Sequence, residues 1–283
     1  MTGKNKLRDL IKIWLEEDLG DGDHTSLATI PADSRGKAKL LVKEEGVLAG
    51  VSVAREVFHI VDSEIEFILL LGDGTKVKPG DIAFTVSGRS RSILSAERLV
   101  LNIMQRMSGI ATSANTYSRE LDGLKTKILD TRKTGPGMRL LEKEAVRIGG
   151  GENHRMGLYD MIMIKDNHID FAGGIANAIR RTVEYLDRSG KKLRIEIEAR
   201  NLQDVIEIMK IGGVDRIMLD NFSPADTREA VEIIGGKYET ESSGGITLAN
   251  IREYAGCGVD YISVGALTHH VKSLDLSLKA IKD

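Results

Sequence analysis

Residues 193–220 read LRIEIEARNLQDVIEIMKIGGVDRIMLD. Leu193–Glu198 is a short β-rich segment. Asn201–Ile211 then places Leu202, Val205, Ile206 and Met209 at i, i+3, i+4 and i+7, the spacing of one helix face. Arg216–Asp220 is β-rich again. A strand, a helix and a strand in this compass make a βα unit of a parallel sheet. The grammar continues both ways. Lys127–Lys133 and Met161–Lys165 precede it as strands; Tyr238–Ser243 and Tyr261–Gly265 follow. Ser223-Pro224 predicts an N-cap with Pro at the first helical position. Thr247 is the expected cap of a helix carrying Leu248, Ile251 and Tyr254. The fold class is therefore α/β. Six such units are fewer than the eight of a standard TIM barrel, so the pattern leaves a short closed barrel and an open doubly wound sheet both standing.

The first hundred residues differ. Leu7, Leu10, Ile11, Trp14 and Leu15 share a helix face, and Gly20-Asp21-Gly22-Asp23 ends that helix. Lys39–Lys43, Ile65–Leu71 and Ile82–Val86 are strand-like, separated by glycine and proline turns, with a helix near Val53–Val61. A long helix is predicted over residues 96–121, with Ser95 as its cap and Leu99, Val100, Ile103, Met104, Met107 and Ala111 buried.

Composition excludes several classes. The 283 residues suffice for one large or two modest cores. A net charge of −2 exerts no pull toward nucleic acid or an anionic membrane, and 4% aromatics cannot build a base-stacking platform. A single cysteine, Cys257, forms no disulfide framework and suits a reducing cytoplasm. Residues 1–10 lack a signal-peptide core, and the longest purely apolar run, Phe67–Leu71, is far short of a membrane span. Thirty glycines against four prolines suggest close backbone approaches.

The strand ends carry the chemistry. The six segments end in Lys133, Lys165, Glu198, Asp220, Ser243-Gly244 and Gly265. In parallel α/β folds, ligands bind at that carboxyl edge. Early units supply Arg132, Lys133 and Lys165, with His154-Arg155 behind Gly149-Gly150-Gly151. Middle units supply Glu198 and Asp220. Late glycine-rich turns ahead of helices can hold a phosphate on backbone N–H groups. Carboxylates suit Mg²⁺ or ribose hydroxyls, and clustered cations suit carboxylate or pyrophosphate. Simpler roles compete. Gly149–Gly151 also fits a flexible connection, Lys165 could pair with Asp166 or Asp170, and one of Glu196 and Glu198 could belong to an ion pair. His24 reads as a turn residue and His59 as structural. Arg98, in the expected first turn of the long helix, opposes the macrodipole and hints at a nearby anion, or pairs with Glu97.

Asp130-Thr-Arg-Lys-Thr-Gly-Pro-Gly137, Gly149-Gly-Gly-Glu-Asn-His-Arg-Met-Gly157, Ile164-Lys-Asp-Asn-His168, Leu219-Asp-Asn-Phe222, Glu241-Ser-Ser-Gly-Gly245 and Val264-Gly-Ala-Leu-Thr-His269 occur in that order. Together they resemble the quinolinate phosphoribosyltransferase family over nearly the whole chain, including Glu17–Ser26 and Leu101–Thr112. The resemblance implies an N-terminal α/β sandwich over 1–108 and an atypical, six- to seven-stranded TIM-like α/β barrel over 109–269. A C-terminal helix, 270–283, would return to the first domain. It also implies a homodimer with shared sites, possibly assembled further. The implied reaction joins quinolinate to 5-phosphoribosyl-1-pyrophosphate (PRPP) with loss of pyrophosphate and CO₂, with Mg²⁺ and no organic cofactor. By motif, Arg132, His154, Arg155 and Lys165 would line the quinolinate pocket, with Arg98 entering from the other subunit. Lys133 would contact substrate or pyrophosphate. Glu198 and Asp220 would hold ribose hydroxyls and Mg²⁺. Ser243, Gly244 and Gly265 would bind the 5′-phosphate, with His269 nearby.

Other readings remain: a barrel lyase with Lys165 as Schiff-base nucleophile, a related transferase with another base acceptor, and a carrier module suggested by Gly74–Asp81.

Overall fold

The computed structural model describes residues 3–281. The chain runs α1 (Gly3–Leu19), α2 (His24–Thr29), β1 (Arg35–Val42), β2 (Gly46–Val47), α3 (Val51–Val61), β3 (Glu66–Leu69), β4 (Lys76–Val77), β5 (Ile82–Arg89) and α4 (Ser90–Glu120). It continues through β6 (Lys127–Leu129), α5 (Arg139–Ile148), β7 (Ile162–Ile164), α6 (Asp166–Ala172), α7 (Ile175–Ser189), β8 (Ile195–Ala199), α8 (Leu202–Ile211) and β9 (Arg216–Asp220). The last elements are α9 (Pro224–Ile234), β10 (Glu239–Ser243), α10 (Ile251–Ala255), β11 (Tyr261–Ser263), α11 (Ala266–His269) and β12 (Leu276–Ile281). There are two compact units. One takes the described residues up to Asn115, Gly135–Gly150, and those from His270 on; the other takes Thr116–Thr134 and Gly151–His269. No helix among the described residues is long and apolar enough to cross a membrane.

In the first unit an antiparallel sheet is ordered β12-β1-β5-β3. Strand β1 alternates, burying Ala38, Leu40 and Val42. These meet Ala83, Phe84 and Val86 of the neighbouring strand and the apolar face of α3, where Phe58 stands edge-on to Phe84 at 6.1 Å. The buried stripe of α4 reaches back to Ile93 and Ala96. Because that stripe starts early, the helix starts at Ser90, and Ser95 is interior to it rather than its cap. The helix also continues through residue 108, where the sequence placed a domain boundary, and α5 groups with this unit.

The helix expected over 270–283 does not form. Residues 276–281 are a strand, paired antiparallel with β1 from Val42↔Leu276 to Lys37↔Ile281. Its reason is legible in hindsight: Leu274, Leu276 and Leu278 alternate with polar residues and are buried, a period of two. Lys282 and Asp283 lie outside the described residues. The segment leading to β12 crosses α4 so closely that a Cβ on Gly109 would overlap the carbonyl oxygen of Lys272, while Leu274 N–H donates to Gln105 O at 3.0 Å.

The second unit settles the alternative that periodicity left open. Its six strands, all parallel, are ordered β6-β11-β10-β9-β8-β7. Each strand from β7 to β11 lies beside its successor, and β6 lies beside β11. A doubly wound sheet would reverse direction at a switch point; this one does not, as a barrel requires. Glu152 adds a one-residue parallel bridge on the free side of β6, a rudimentary seventh strand. Strand β8 is buried throughout: Ile195, Ile197 and Ala199 occupy one face, Glu196 and Glu198 the other.

The Gly109–Lys272 approach leads to a prediction. Gly109→Ala should destabilise the protein by roughly 2 kcal/mol, the usual cost of overpacking, seen as a melting temperature lower by several degrees. An unchanged melting point would mean the two segments separate freely.

Candidate active site

The carboxyl ends of the second unit's strands bring together most of the residues singled out in the sequence. Glu198, at the end of β8, is buried. One of its oxygens pairs with Lys165 Nζ and the other accepts the Asp166 N–H at 3.0 Å. Asp220 ends the adjacent strand and is half-buried, its Oδ2 accepting Asn221 Nδ2 at 2.8 Å. Burial raises the Asp220 pKa, and the Glu198 charge raises it further, against smaller opposing effects of Asn221 and Lys165. Two carboxylates that repel one another beside a hard-oxygen donor set fit a divalent cation. Both Glu198 oxygens are engaged within the protein, so of the two carboxylates Asp220 has the more open oxygens for a cation.

Asn221 has φ +57°, the one non-glycine in the left-handed region among the described residues. Its N–H donates to Ser243 O at 2.8 Å, locking the β9 turn to the end of β10. Its side chain fills the space beside Gly244 (φ +90°), where any Cβ would overlap it. Ser243 and Gly244 are thereby fixed at the edge. The following helix, however, begins only at Ile251. Asn250, not Thr247, precedes it, and Thr247 N–H donates to Asn250 Oδ1 at 2.7 Å. A phosphate at Gly244 would meet loop N–H groups rather than a helix end. Gly265 does directly precede a helical turn, α11. A Cβ there would lie 3.1 Å from Lys133 Cδ and 3.0 Å from His269 Nε2, so both of these side chains converge on Gly265. Thr268 Oγ1 donates to Lys133 O at 2.8 Å and holds that residue in place.

Arg132 and Arg155 are near enough for the Arg132 charge to lower the Arg155 pKa, second only to the larger effect of burial. Arg155 also donates to Met161 O at 3.3 Å. Glu196, Asp160 and Glu198 act on Arg155 in the opposite sense, so its charge is partly balanced by the protein's own carboxylates. His154 is buried, with its imidazole turned into the barrel interior. Its Nδ1 accepts the Arg155 N–H at 2.6 Å, and its Nε2 lies 2.9 Å from Glu196 Oε2 and 3.5 Å from Glu241 Oε2. Arg98 belongs to the first unit and is exposed on α4. With the helix starting at Ser90, Arg98 stands two turns in, so the macrodipole argument for an anion beside it no longer holds.

Sequence reasoning missed the inner layer. Arg216 Nη1 donates to Glu241 Oε2 at 2.8 Å and its Nη2 to Glu239 Oε2 at 3.0 Å, with its guanidinium 4.1 Å from the Tyr261 ring centre. Burial would lower the Arg216 pKa, but Glu196, Glu241 and Glu239 outweigh it and raise it. Burial raises Glu196 too. Glu241 is pushed up to about 8, first by burial and then by Glu196, against His154, Arg216 and Ser263. Asp130 is the other missed residue: it is fully buried and its Oδ1 accepts the His154 N–H at 2.9 Å. The available signal was the alternation of charged and apolar residues in Ile195-Glu-Ile-Glu198 and Glu239-Thr-Glu241.

The fold and the site thus define an α/β-barrel enzyme with a cation-and-carboxylate centre at the strand carboxyl ends. The quinolinate phosphoribosyl transferase models match it, the N-terminal domain over residues 23–108 and the C-terminal domain over 110–279. A tobacco (Nicotiana tabacum) quinolinate phosphoribosyltransferase [decarboxylating] 1b is 45% identical, over 96% of this chain and 82% of its own. A probable nicotinate-nucleotide pyrophosphorylase [carboxylating] of Bacillus subtilis is 42% identical, over 96% and 93%. The crystal structure of NadC from Streptococcus pyogenes superposes with a TM-score of 0.93 at 38% identity, covering 100% of this chain and 99% of that one. The chain belongs to the quinolinate phosphoribosyl transferase family.

The raised Glu241 pKa has a sign that can be tested. Between an ordinary glutamate value of about 4.3 and about 8, the folded state keeps a proton the unfolded chain has lost. Stability therefore falls as pH rises through that window. Thermal melts of the wild type should decline from pH 5 to 8 more steeply than those of Glu241→Gln. Parallel curves would sink the assignment.

Proposed function

We infer that the protein transfers the phosphoribosyl group of PRPP to quinolinate, releasing pyrophosphate and CO₂ and forming nicotinate mononucleotide in NAD biosynthesis. The observation that carries this reading is the pairing of Lys165 with Glu198 at the strand carboxyl edge, beside Asp220 at the end of the next strand, with Arg155 tied nearby to Met161 O. Quinolinate is a flat ring with two adjacent carboxylates, and a convergent set of cations matches it. Lys165 serves as a third cation, aimed by its pairing with Glu198.

Departure of pyrophosphate builds positive charge on the ribose carbon. Glu198 and Asp220 stabilise that charge and orient the ribose hydroxyls. Lys133, lying with His269 against Gly265, faces the phosphate-bearing side, and Ser243, Gly244 and Gly265 take the 5′-phosphate. When bound at Asp220 and Glu198, Mg²⁺ would supply charge neutralisation of the leaving pyrophosphate. Attack by the ring nitrogen makes a pyridinium, and the adjacent carboxylate departs as CO₂ with its bonding electrons left to that cation. No organic cofactor is needed. A Schiff-base lyase needs a lysine amine free to attack a carbonyl, and the Lys165 amine is taken up by Glu198. An acceptor with a single carboxylate would leave one guanidinium unmatched and bind poorly.

The same reading makes the enzyme a homodimer in which Arg98 of the partner subunit completes the pocket. Its lone thiol, Cys257, suits a reducing compartment such as the cytoplasm.

With quinolinate, PRPP and Mg²⁺, the purified protein should release CO₂ and nicotinate mononucleotide in equal amounts, and chelation should stop both. A folded protein that yields neither would falsify the assignment. Arg155→Ala should raise KM for quinolinate roughly 10- to 100-fold, the loss of one charged hydrogen-bonding contact, with KM for PRPP little changed. Arg98→Ala and Lys133→Ala, each inactive, should regain activity when mixed and allowed to exchange subunits. No recovery after exchange would exclude shared sites.

A further inference from the structure

Asn221 stands between the two halves of the donor site, and its conformation needs a reason. It follows Asp220 at the end of β9, and Asp220 is the register partner of Ser243 at the end of β10. Its φ is +57°. Glycine takes that conformation without cost, and asparagine is one of the few other residues that enter it singly. The side chain is exposed, so it fills no core. What asparagine brings to this turn beyond glycine is therefore its amide.

Both ends of that amide are used. Nδ2 donates to Asp220 Oδ2 at 2.8 Å. The amide oxygen lies against Gly244, where any Cβ would overlap it. The hydrogen bond fixes the plane of the Asp220 carboxylate and leaves Asp220 Oδ1 with no donor among the described residues, open to a ligand. It also acts against the Glu198 charge, which pushes on the same carboxylate. On the other side, Gly244 and Gly245 have φ of +90° and +62°, and neither N–H has an acceptor among the described residues. Successive N–H groups in such a turn form a concave anion site. A second asparagine closes the far end of that loop: Asn250 Nδ2 donates to Gly245 O at 3.2 Å, and its Oδ1 accepts the Thr247 N–H at 2.7 Å.

We propose that Asn221 is a positioning residue for the phosphoribosyl donor: its amide holds the Asp220 carboxylate on one side and shapes the Gly244 turn on the other, and so fixes the spacing between the group that takes the ribose and the loop that takes the 5′-phosphate. Ribose and 5′-phosphate belong to one molecule of fixed reach, so an error in that spacing weakens both contacts together. This rests on the reading of Asp220, Ser243 and Gly244 as the donor site.

The test compares full-length Asn221→Gly and Asn221→Asp with the wild type. Glycine keeps the left-handed turn and removes the amide. Aspartate keeps the shape and replaces the donor with a second carboxylate facing Asp220. The first readout is calorimetric titration with PRPP and Mg²⁺ in the absence of quinolinate, which requires no turnover. The second is steady-state kinetics. In Asn221→Gly, Kd and KM for PRPP should rise about tenfold, equivalent to the loss of one polar contact, while KM for quinolinate stays within about twofold. Asn221→Asp should weaken PRPP binding further, because like charges then meet at Asp220. A role confined to the backbone turn predicts the reverse, since glycine would bind PRPP as the wild type does. That result, or KM for both substrates raised alike, overturns the proposal. If Asn221→Gly does not fold, Asn221→Asp carries the same two readouts, and PRPP binding there as tight as in the wild type overturns it equally. A wild type that binds no PRPP would fault the reading of the donor site itself. A wild type and variants that all bind it alike would fault the role of Asn221 alone.

Discussion

The pairing of β6 with β11 is the constraint on which the site depends. It joins the first strand of the second unit to the last, in the register Lys127↔Tyr261 to Leu129↔Ser263, and Val264 N–H extends it onto Leu129 O at 2.9 Å. This pairing brings Lys133, which follows β6, to the turn at Gly265 and His269, where Thr268 Oγ1 then holds it. The remaining strands add their ends in sequence order, so cations, carboxylates and glycine turns arrive at one edge in the order in which they occur along the chain. A parallel sheet with a reversal in its order would divide these residues between two directions from a switch point.

Burial then sorts the carboxylates. Asp220 is half-buried and Glu198 keeps a trace of exposure at the edge, whereas Glu196 and Glu241 are fully buried. The same residue type thus pairs with a lysine at the edge and sits inside as an acid with a raised pKa. The overall charge of −2 conceals this arrangement entirely. It averages a cation-rich pocket, a carboxylate pair and an internal ion row that largely cancel one another.

Much of this was legible in the sequence. The residues read as strand ends lie at or just beyond the observed ones: β9 and β10 end at Asp220 and Ser243, Glu198 is one residue inside the end of β8, Lys165 and Gly265 follow β7 and β11 by one and two residues, and Lys133 follows β6 by four. Barrel closure was not legible, because periodicity describes each strand and not its neighbours; strand order had to be seen. The terminal strand was missed although Leu274, Leu276 and Leu278 carry its period of two. The inner residues Asp130, Arg216 and Glu241 were missed because a charged residue in a strand looks solvent-facing until the opposite face is known to pack on helices. The place of Arg98 in the first turn of its helix was misread, since the apolar stripe begins at Ile93 rather than at Ala96. The left-handed Asn221 was hidden for another reason: its conformation is imposed by Ser243 and Gly244, over twenty residues away.

The strand pairing of β1 with β12 has a consequence for how the chain is made. Leu40 and Leu278 are partners across that ladder, yet more than two hundred residues separate them. Contacts of such long range are slow to form. During synthesis β1 can pair with β5 early, but its other edge stays open until almost all of the second unit has left the ribosome. An open edge of this kind is a template for pairing with other chains. The sheet of the first unit is thus finished last, and the edge of β1 stays open to association until β12, itself the outermost strand of the finished sheet, takes that place.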